Sequence, residues 1–271
     1  MQNGIHFISG LPRSGSTLLA ALLLQNPVLH AGITSAVGSL VGTMLREVSQ
    51  GNEVAVMIDD TQRQALLRGL FDSYYHAIHP SHTVFDTNRA WTIRLPILAA
   101  LFPQAKVICC VRDLPWVLDS IERVVRQNRW ELSKIFDFDP SGTVYSRADG
   151  LTSRTGMVGY AYNALKQAMH STEADRIMLL TYETLTRDPT RALQAVYEFT
   201  GLPPFIHDVE NVVFDASAFD TRLGTPGLHT VRPVVGAVQR ETILPPDLWR
   251  RYEGESFWRD PAYNKRGVRI V

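Results

Sequence analysis

Gly10-Leu11-Pro12-Arg13-Ser14-Gly15-Ser16-Thr17 joins the apolar run Ile5 to Ser9 to the leucine-rich stretch Thr17 to Gln25. A glycine-bounded turn between a strand and a helix presents successive backbone N–H groups and the positive helix end, which together cradle an anion. The turn fits the spacing G-x-x-x-x-G-K-S/T except that Ser16 stands where a lysine would reach the β- and γ-phosphates of a nucleoside triphosphate. Its cation is Arg13, inside the loop, among the hydroxyls of Ser14, Ser16 and Thr17. Val111-Arg112-Asp113 ends another apolar run, and Ser120 lies eight residues beyond Arg112 on the helical stretch that follows. A strand-end arginine offers a planar fork of donors, and a helix-borne hydroxyl can complete the same oxyanion shell.

These groups need a scaffold that brings strand ends together, and the chain's periodicity supplies one. Continuous apolar runs at Ile5 to Ser9, Lys106 to Val111 and Arg176 to Thr181 read as buried strands, with a shorter one at Thr83 to Asp86. Helical spacing follows at Thr17 to Gln25, Ile58 to Ala77, Thr92 to Leu101, Pro115 to Arg126, Gly156 to Ser171 and Thr190 to Gly201. Apolar rather than alternating strands, separated by helices, predict an α/β fold: a central, mostly parallel sheet with helices on both faces and a P-loop-like phosphate-binding turn. Trp130 to Thr155, rich in Gly, Ser, Asp and Arg, reads as a mobile insert over a site, and the tail from Asp208 as loops with short helices.

The 271 residues suit a single domain spanning 1–271. Lys plus Arg and Asp plus Glu are each 27, so no global field argues for nucleic acid or an anionic membrane. No basic n-region precedes an apolar run at Met1 to Phe7 and no stretch is long enough to span a bilayer, so the expected location is cytoplasmic. Cys109 and Cys110 are adjacent on a buried strand, where neighbouring side chains face opposite ways, so both read as packing residues rather than a disulfide.

The string Pro12-Arg13-Ser14-Gly15-Ser16-Thr17 followed by Leu18-Leu19 resembles the 5′-phosphosulfate-binding loop of the sulfotransferases, in the arginine version found in protein-tyrosine sulfotransferases and many bacterial relatives. Arg112 with Ser120 looks like that family's 3′-phosphate motif. Leu180-Thr181-Tyr182-Glu183 through Asp188-Pro189 is similar to its strand followed by Y-E-x-L-x-x-D-P, whose tyrosine contacts the nucleotide. Gly224 to Arg232 looks like its closing loop over the adenosine, which makes His229, Thr230 and Arg232 candidate contacts. The resemblance implies transfer of a sulfuryl group from 3′-phosphoadenosine 5′-phosphosulfate to an acceptor hydroxyl, leaving adenosine 3′,5′-bisphosphate, with no metal. An alcohol or phenol of a small molecule is the expected acceptor, ahead of a peptide tyrosine or a glycan, and a homodimer is left open.

Such a transfer needs positive charge at the leaving oxygen and a base for the acceptor proton. Arg13 would supply the charge, joined by Arg89, which falls near the family's second catalytic lysine. The base is less marked. The glutamate of the tyrosine-sulfating enzymes is replaced by Thr34, and where the small-molecule enzymes carry a histidine this chain has Asp86-Thr87-Asn88. Asp86 is the first candidate, followed by Asp59, Asp60 and His30. Two other functions compete: a P-loop kinase or other NTP-dependent phosphotransferase, which needs the lysine missing at Ser16, and a non-catalytic nucleotide-binding module. A metal hydrolase is disfavoured because the eight histidines show no ligand-type spacing.

Overall fold

In a computed structural model the described residues are 4–49, 51–130 and 142–271. Their apolar runs pair into one six-stranded sheet in the order β2-β3-β1-β4-β5-β6, with every pairing parallel. The strands are β1 (Ile5–Gly10), β2 (Leu29–Ala31), β3 (Thr83–Thr87), β4 (Val107–Val111), β5 (Ile177–Thr181) and β6 (Arg269–Ile270). Alternate side chains feed two cores, as the pleat requires. Phe7, Val84, Val107, Cys109 and Leu179 face one layer, while Ile8, Phe85, Ile108, Cys110 and Met178 face the other. The two cysteines therefore lie in different cores as free, buried thiols, and burial raises the pKa of both.

The first core is covered by α2 (Val37–Glu47), α4 (Asp60–Tyr74), α5 (Leu95–Leu101), α6 (Leu114–Gln127), α7 (Val144–Thr152) and α8 (Met157–Met169). The second is covered by α1 (Ser16–Leu23), α9 (Tyr182–Arg187) and α10 (Pro189–Thr200). The short helices α3 (Glu53–Val56), α11 (Ser217–Arg222) and α12 (Pro246–Tyr252) complete the set among the described residues. A parallel sheet clad on both faces makes this a single α/β domain, and the sheet is wholly rather than mostly parallel. Among the described residues, no helix is long and apolar enough to cross a membrane.

Part of the segment read as a mobile insert is ordered helix. In α7, Thr143 caps the first turn, Ala148 and Leu151 pack into the core, and Arg147 pairs with the buried Glu122 of α6 at 2.7 Å. Residues 131–141 of that insert lie outside the described residues. The tail also contributes more than loops, since β6 adds an edge strand to β5.

Candidate active site

The chain leaves β1 for the edge strand β2, returns through β3, then crosses to β4 on the far side of β1. Where strand order reverses, the loops at the carboxyl ends diverge and open a crevice, the usual ligand site of open α/β sheets. A cavity of about 630 Å³ lies there, walled by the loop after β1, the ends of β3 and β4, the start of α9 and the segment 227–240. That volume suits a nucleotide-sized ligand.

The loop after β1 is held from beneath. Gly10 has φ +104, and a Cβ there would sit 2.1 Å from the carbonyl oxygen of Cys110, so β1 and β4 approach too closely for any side chain. Ser14 is fully buried, and its hydroxyl donates to the carbonyls of Leu11 and Cys110 (2.8 Å to the latter). Gly15 caps α1 with φ +99, and Ser16 and Thr17, the first residues of the helix, line the cavity. Arg13 is the one non-glycine residue with positive φ among the described residues, at 58°. Such a backbone costs roughly 1–2 kcal/mol and is retained where the surroundings fix it.

Its guanidinium is fixed by what it touches. Nε donates to Ser120 Oγ at 3.1 Å and Nη1 donates to the carbonyl of Leu228, so one side chain links the loop, α6 and the C-terminal segment. Burial, and then the neighbouring Arg112, lower its pKa to about 10, so it remains a cation at neutral pH. Arg112 stacks on Tyr182 with its guanidinium carbon 4.0 Å from the ring centroid. Arg89 opens the single turn Arg89–Trp91 after β3, where burial alone lowers its pKa.

Arg13, Arg89, Arg112, Arg232 and Arg240 thus converge on one cavity, and among the described residues no carboxylate lines it. Like charges gathered at one cavity repel, and burial lowers the pKa of Arg13, Arg112 and Arg240, so the site suits an anion. Two buried donors also lack an acceptor: Arg112 Nε and Arg240 Nη2. The latter lies 2.7 Å from Asp119 Oδ2, an ion pair too bent to be a hydrogen bond. Unsatisfied buried donors are rare, and both of these belong to residues that line a cavity large enough for a phosphate.

Residues 6–207 match the sequence profile of the sulfotransferase family. The chain belongs to that family. Protein-tyrosine sulfotransferase 1 of Danio rerio is 26% identical over 207 residues, covering 73% of this chain and 53% of the relative, so this sulfotransferase-family chain spans about half that protein's length. The fold is shared with the sulfotransferase domain from the curacin biosynthetic pathway, with a TM-score of 0.52, 19% identity and coverage of 93% and 90% of the two chains. It is also shared with a sulfotransferase from Alicyclobacillus acidocaldarius, with a TM-score of 0.54, 16% identity and coverage of 100% and 97%.

Within this family fold, the cavity gathers Pro12, Arg13, Gly15, Ser16 and Thr17 of the loop with Arg89, Arg112 and Ser120. Tyr182, His229, Thr230 and Arg232 join them from the later segments. Ser14 does not reach it, because its hydroxyl is spent on the carbonyls below the loop.

Asp86, the first candidate base, does not line the cavity. It is fully buried on β3, where its oxygens accept from Tyr75 Oη at 2.6 Å and Trp91 Nε1 at 2.8 Å, so it clamps the end of α4 and the Arg89 turn to the sheet. Burial raises its pKa while those donors oppose the rise. Asp59 caps α4 through a reciprocal bond with Gln62, and exposed Asp60 pairs with Arg63. His30 lies on β2 with its ring 5.7 Å from that of Tyr75. None of these four lines the cavity.

Thr34, at the position of the missing glutamate, does line the cavity, as do Asn88 and Gln127. Arg240 escaped the sequence reading because it stands in a stretch without periodicity. Only its ion pair with Asp119, 121 residues earlier in the chain, marks it.

Proposed function

We propose that the chain transfers a sulfuryl group from 3′-phosphoadenosine 5′-phosphosulfate to a hydroxyl of a small-molecule acceptor. The observation that carries this reading is a cavity at the strand ends with five arginines, no facing carboxylate among the described residues and two buried guanidinium donors lacking acceptors. The donor supplies the sulfuryl group and an anionic leaving phosphate. Residues Pro12 to Thr17 would hold its 5′ side through loop and helix N–H groups. Arg112, Ser120 and Arg240 would hold the 3′-phosphate, and Tyr182, already stacked under Arg112, would flank the nucleoside.

Arg13 and Arg89 have a different role. Both stay charged, and an arginine is a fixed cation rather than a proton donor, so they would stabilise charge that develops as the bond to sulfur breaks. The apolar side chains Ile33, Met157, Phe219 and Leu223 complete the wall and suit an acceptor with an apolar body, such as a phenol. A kinase reading fits less well: Ser16 opens α1 where the lysine would stand, and no carboxylate among the described residues lines the cavity to hold magnesium.

Calorimetry distinguishes the two readings. Adenosine 3′,5′-bisphosphate should bind in EDTA, with ATP much weaker. Tight, magnesium-dependent ATP binding would instead favour the kinase.

A further inference from the structure

Transfer from a neutral hydroxyl needs a proton acceptor, and the carboxylates singled out in the sequence do not reach the cavity. Among the described residues that line it, the titratable side chains other than arginines are Tyr182 and His229. Tyr182 has its ring face covered by Arg112, which ties it to the nucleotide side. His229 is held quite differently. Its Nδ1 lies 2.5 Å from Asp220 Oδ1, and its backbone N–H donates to Asp220 Oδ2 at 2.7 Å, so one carboxylate grips both ring and main chain. Asp220, on α11, is 1% exposed, whereas the His229 side chain keeps 19% exposure on the cavity wall.

Resting on the sulfuryl-transfer reading above, we infer that His229 is the general base for the acceptor hydroxyl and that Asp220 is its positioning residue. A carboxylate can only accept at Nδ1, so the ring proton sits there and the lone pair falls on Nε2, on the other side of the ring. The Phe219 ring, 5.5 Å away and nearly perpendicular, restrains the imidazole further. The charged groups that face His229 are Asp220 from α11, Arg13 from the phosphate loop and Arg89 from the turn after β3. Burial lowers the histidine's pKa, Asp220 opposes this, and the two arginines lower it again, so the ring is neutral and able to accept at pH 7. Arg13, assigned to the leaving oxygen, donates to the carbonyl of Leu228, the residue before His229, so base and leaving-group cation sit on adjoining parts of the cavity wall.

The step balances within these groups. The hydroxyl proton passes to His229 Nε2 as the acceptor oxygen bonds to sulfur. The bond from sulfur to the bridging oxygen breaks, and its electron pair stays on the 5′-phosphate facing Arg13. The imidazolium, paired with Asp220, then returns its proton to water.

The test uses phenol and 4-nitrophenol as probe acceptors with radiolabelled phosphosulfate donor, because 4-nitrophenol ionises by itself near neutral pH and needs no base. His229→Asn should slow transfer to phenol by about 10² to 10⁴ and transfer to 4-nitrophenol far less, with the affinity for adenosine 3′,5′-bisphosphate little changed. Asp220→Asn should show the same acceptor dependence with a smaller loss. Equal losses on both phenols, near-parental rates, or a loss of bisphosphate affinity that parallels the loss of turnover would each overturn the assignment. A parent that binds the bisphosphate yet sulfonates neither phenol would refute the phenol-accepting form of the transfer reading, and the proton step proposed on it. A second readout is independent of activity: in ¹⁵N–¹H spectra of histidine-labelled protein, the signal lost in His229→Asn should show the proton on Nδ1. A proton on Nε2 overturns the assignment whatever the rates.

Discussion

Arg112→Ala should weaken nucleotide binding sharply while hardly disturbing the unliganded fold, and this divergence tests the assignment of the 3′-phosphate site. In the unliganded protein, Arg112 has few partners to lose: Nη1 reaches the carbonyl of Arg13 at a long 3.4 Å, and Nε has none. Its stack on Tyr182 is worth about 0.5–2 kcal/mol. Against this stand burial of the cation, the largest influence on its lowered pKa, and repulsion from Arg240. These effects oppose one another, so the net change in unliganded stability should stay within about 1 kcal/mol. A phosphate contact is another matter. Loss of a charge-assisted bond costs about 1.5–3 kcal/mol, or roughly 10- to 150-fold in affinity. Thermal shift and calorimetry read both quantities. At bisphosphate equal to 100 times the parent Kd, the parent should gain about 2.7 kcal/mol and a variant weakened 100-fold only about 0.4 kcal/mol. A variant that binds like the parent, or that loses several kcal/mol of unliganded stability with binding intact, would show that Arg112 is structural.

Two further outcomes follow from buried groups outside the cavity. Asp86→Asn should cost about 1–3 kcal/mol in urea denaturation, because Tyr75 and Trp91 donate to different carboxylate oxygens and the amide replaces one of those with an NH₂ group. Bisphosphate affinity should stay within a few-fold, and a loss of turnover without a loss of stability would return the role of base to Asp86. His6 is buried with its Nδ1 accepting from the Lys106 N–H, and burial lowers its pKa from 6.5 to about 4. The unfolded chain therefore takes up a proton below pH 6.5 that the fold refuses, and stability should fall as pH drops from there toward 4, by up to about 3 kcal/mol at ~1.4 kcal/mol per pH unit. His6→Gln should flatten that slope, and an unchanged slope would refute the attribution.

What could be read from sequence follows from how local each signal is. The runs that became β1, β4 and β5 are continuous and apolar because both sheet faces are covered, so their period survives without knowledge of the fold. The phosphate loop was legible for the same reason, since Gly10 to Thr17 carries its geometry in one turn. β2 and β6 were not, because elements of three and two residues have no period, and each exists through a parallel partner far along the chain. Asp86 misled because a carboxylate at a strand end reads alike whether it points into a cleft or into a core. Tyr75 and Trp91, whose donors decide the matter, approach it only in the folded protein. The His229 and Asp220 pairing failed to register because eight residues, most of them in irregular chain after α11, separate two common residue types.

The cavity's two sides are therefore built on different principles. Strand ends carry Arg13, Arg89 and Arg112, and six parallel strands fix their backbones. The segment from Asp220 to Ile243 has little regular structure after α11 and is tied down by buried carboxylates instead. Asp220 holds the His229 end. Asp119, fully buried on α6, receives Arg123, Thr242 Oγ1 and the Ile243 N–H and pairs with Arg240. Asp119 lies one residue before Ser120, so one turn of α6 both offers a hydroxyl to the proposed 3′-phosphate and anchors the roof that supplies Arg240. A phosphate bound between Ser120, Arg112 and Arg240 would satisfy both donors that lack an acceptor and add a further tie between α6 and that roof. Nucleotide binding should then order the same segment that carries His229, so that the base is held most firmly when donor is present.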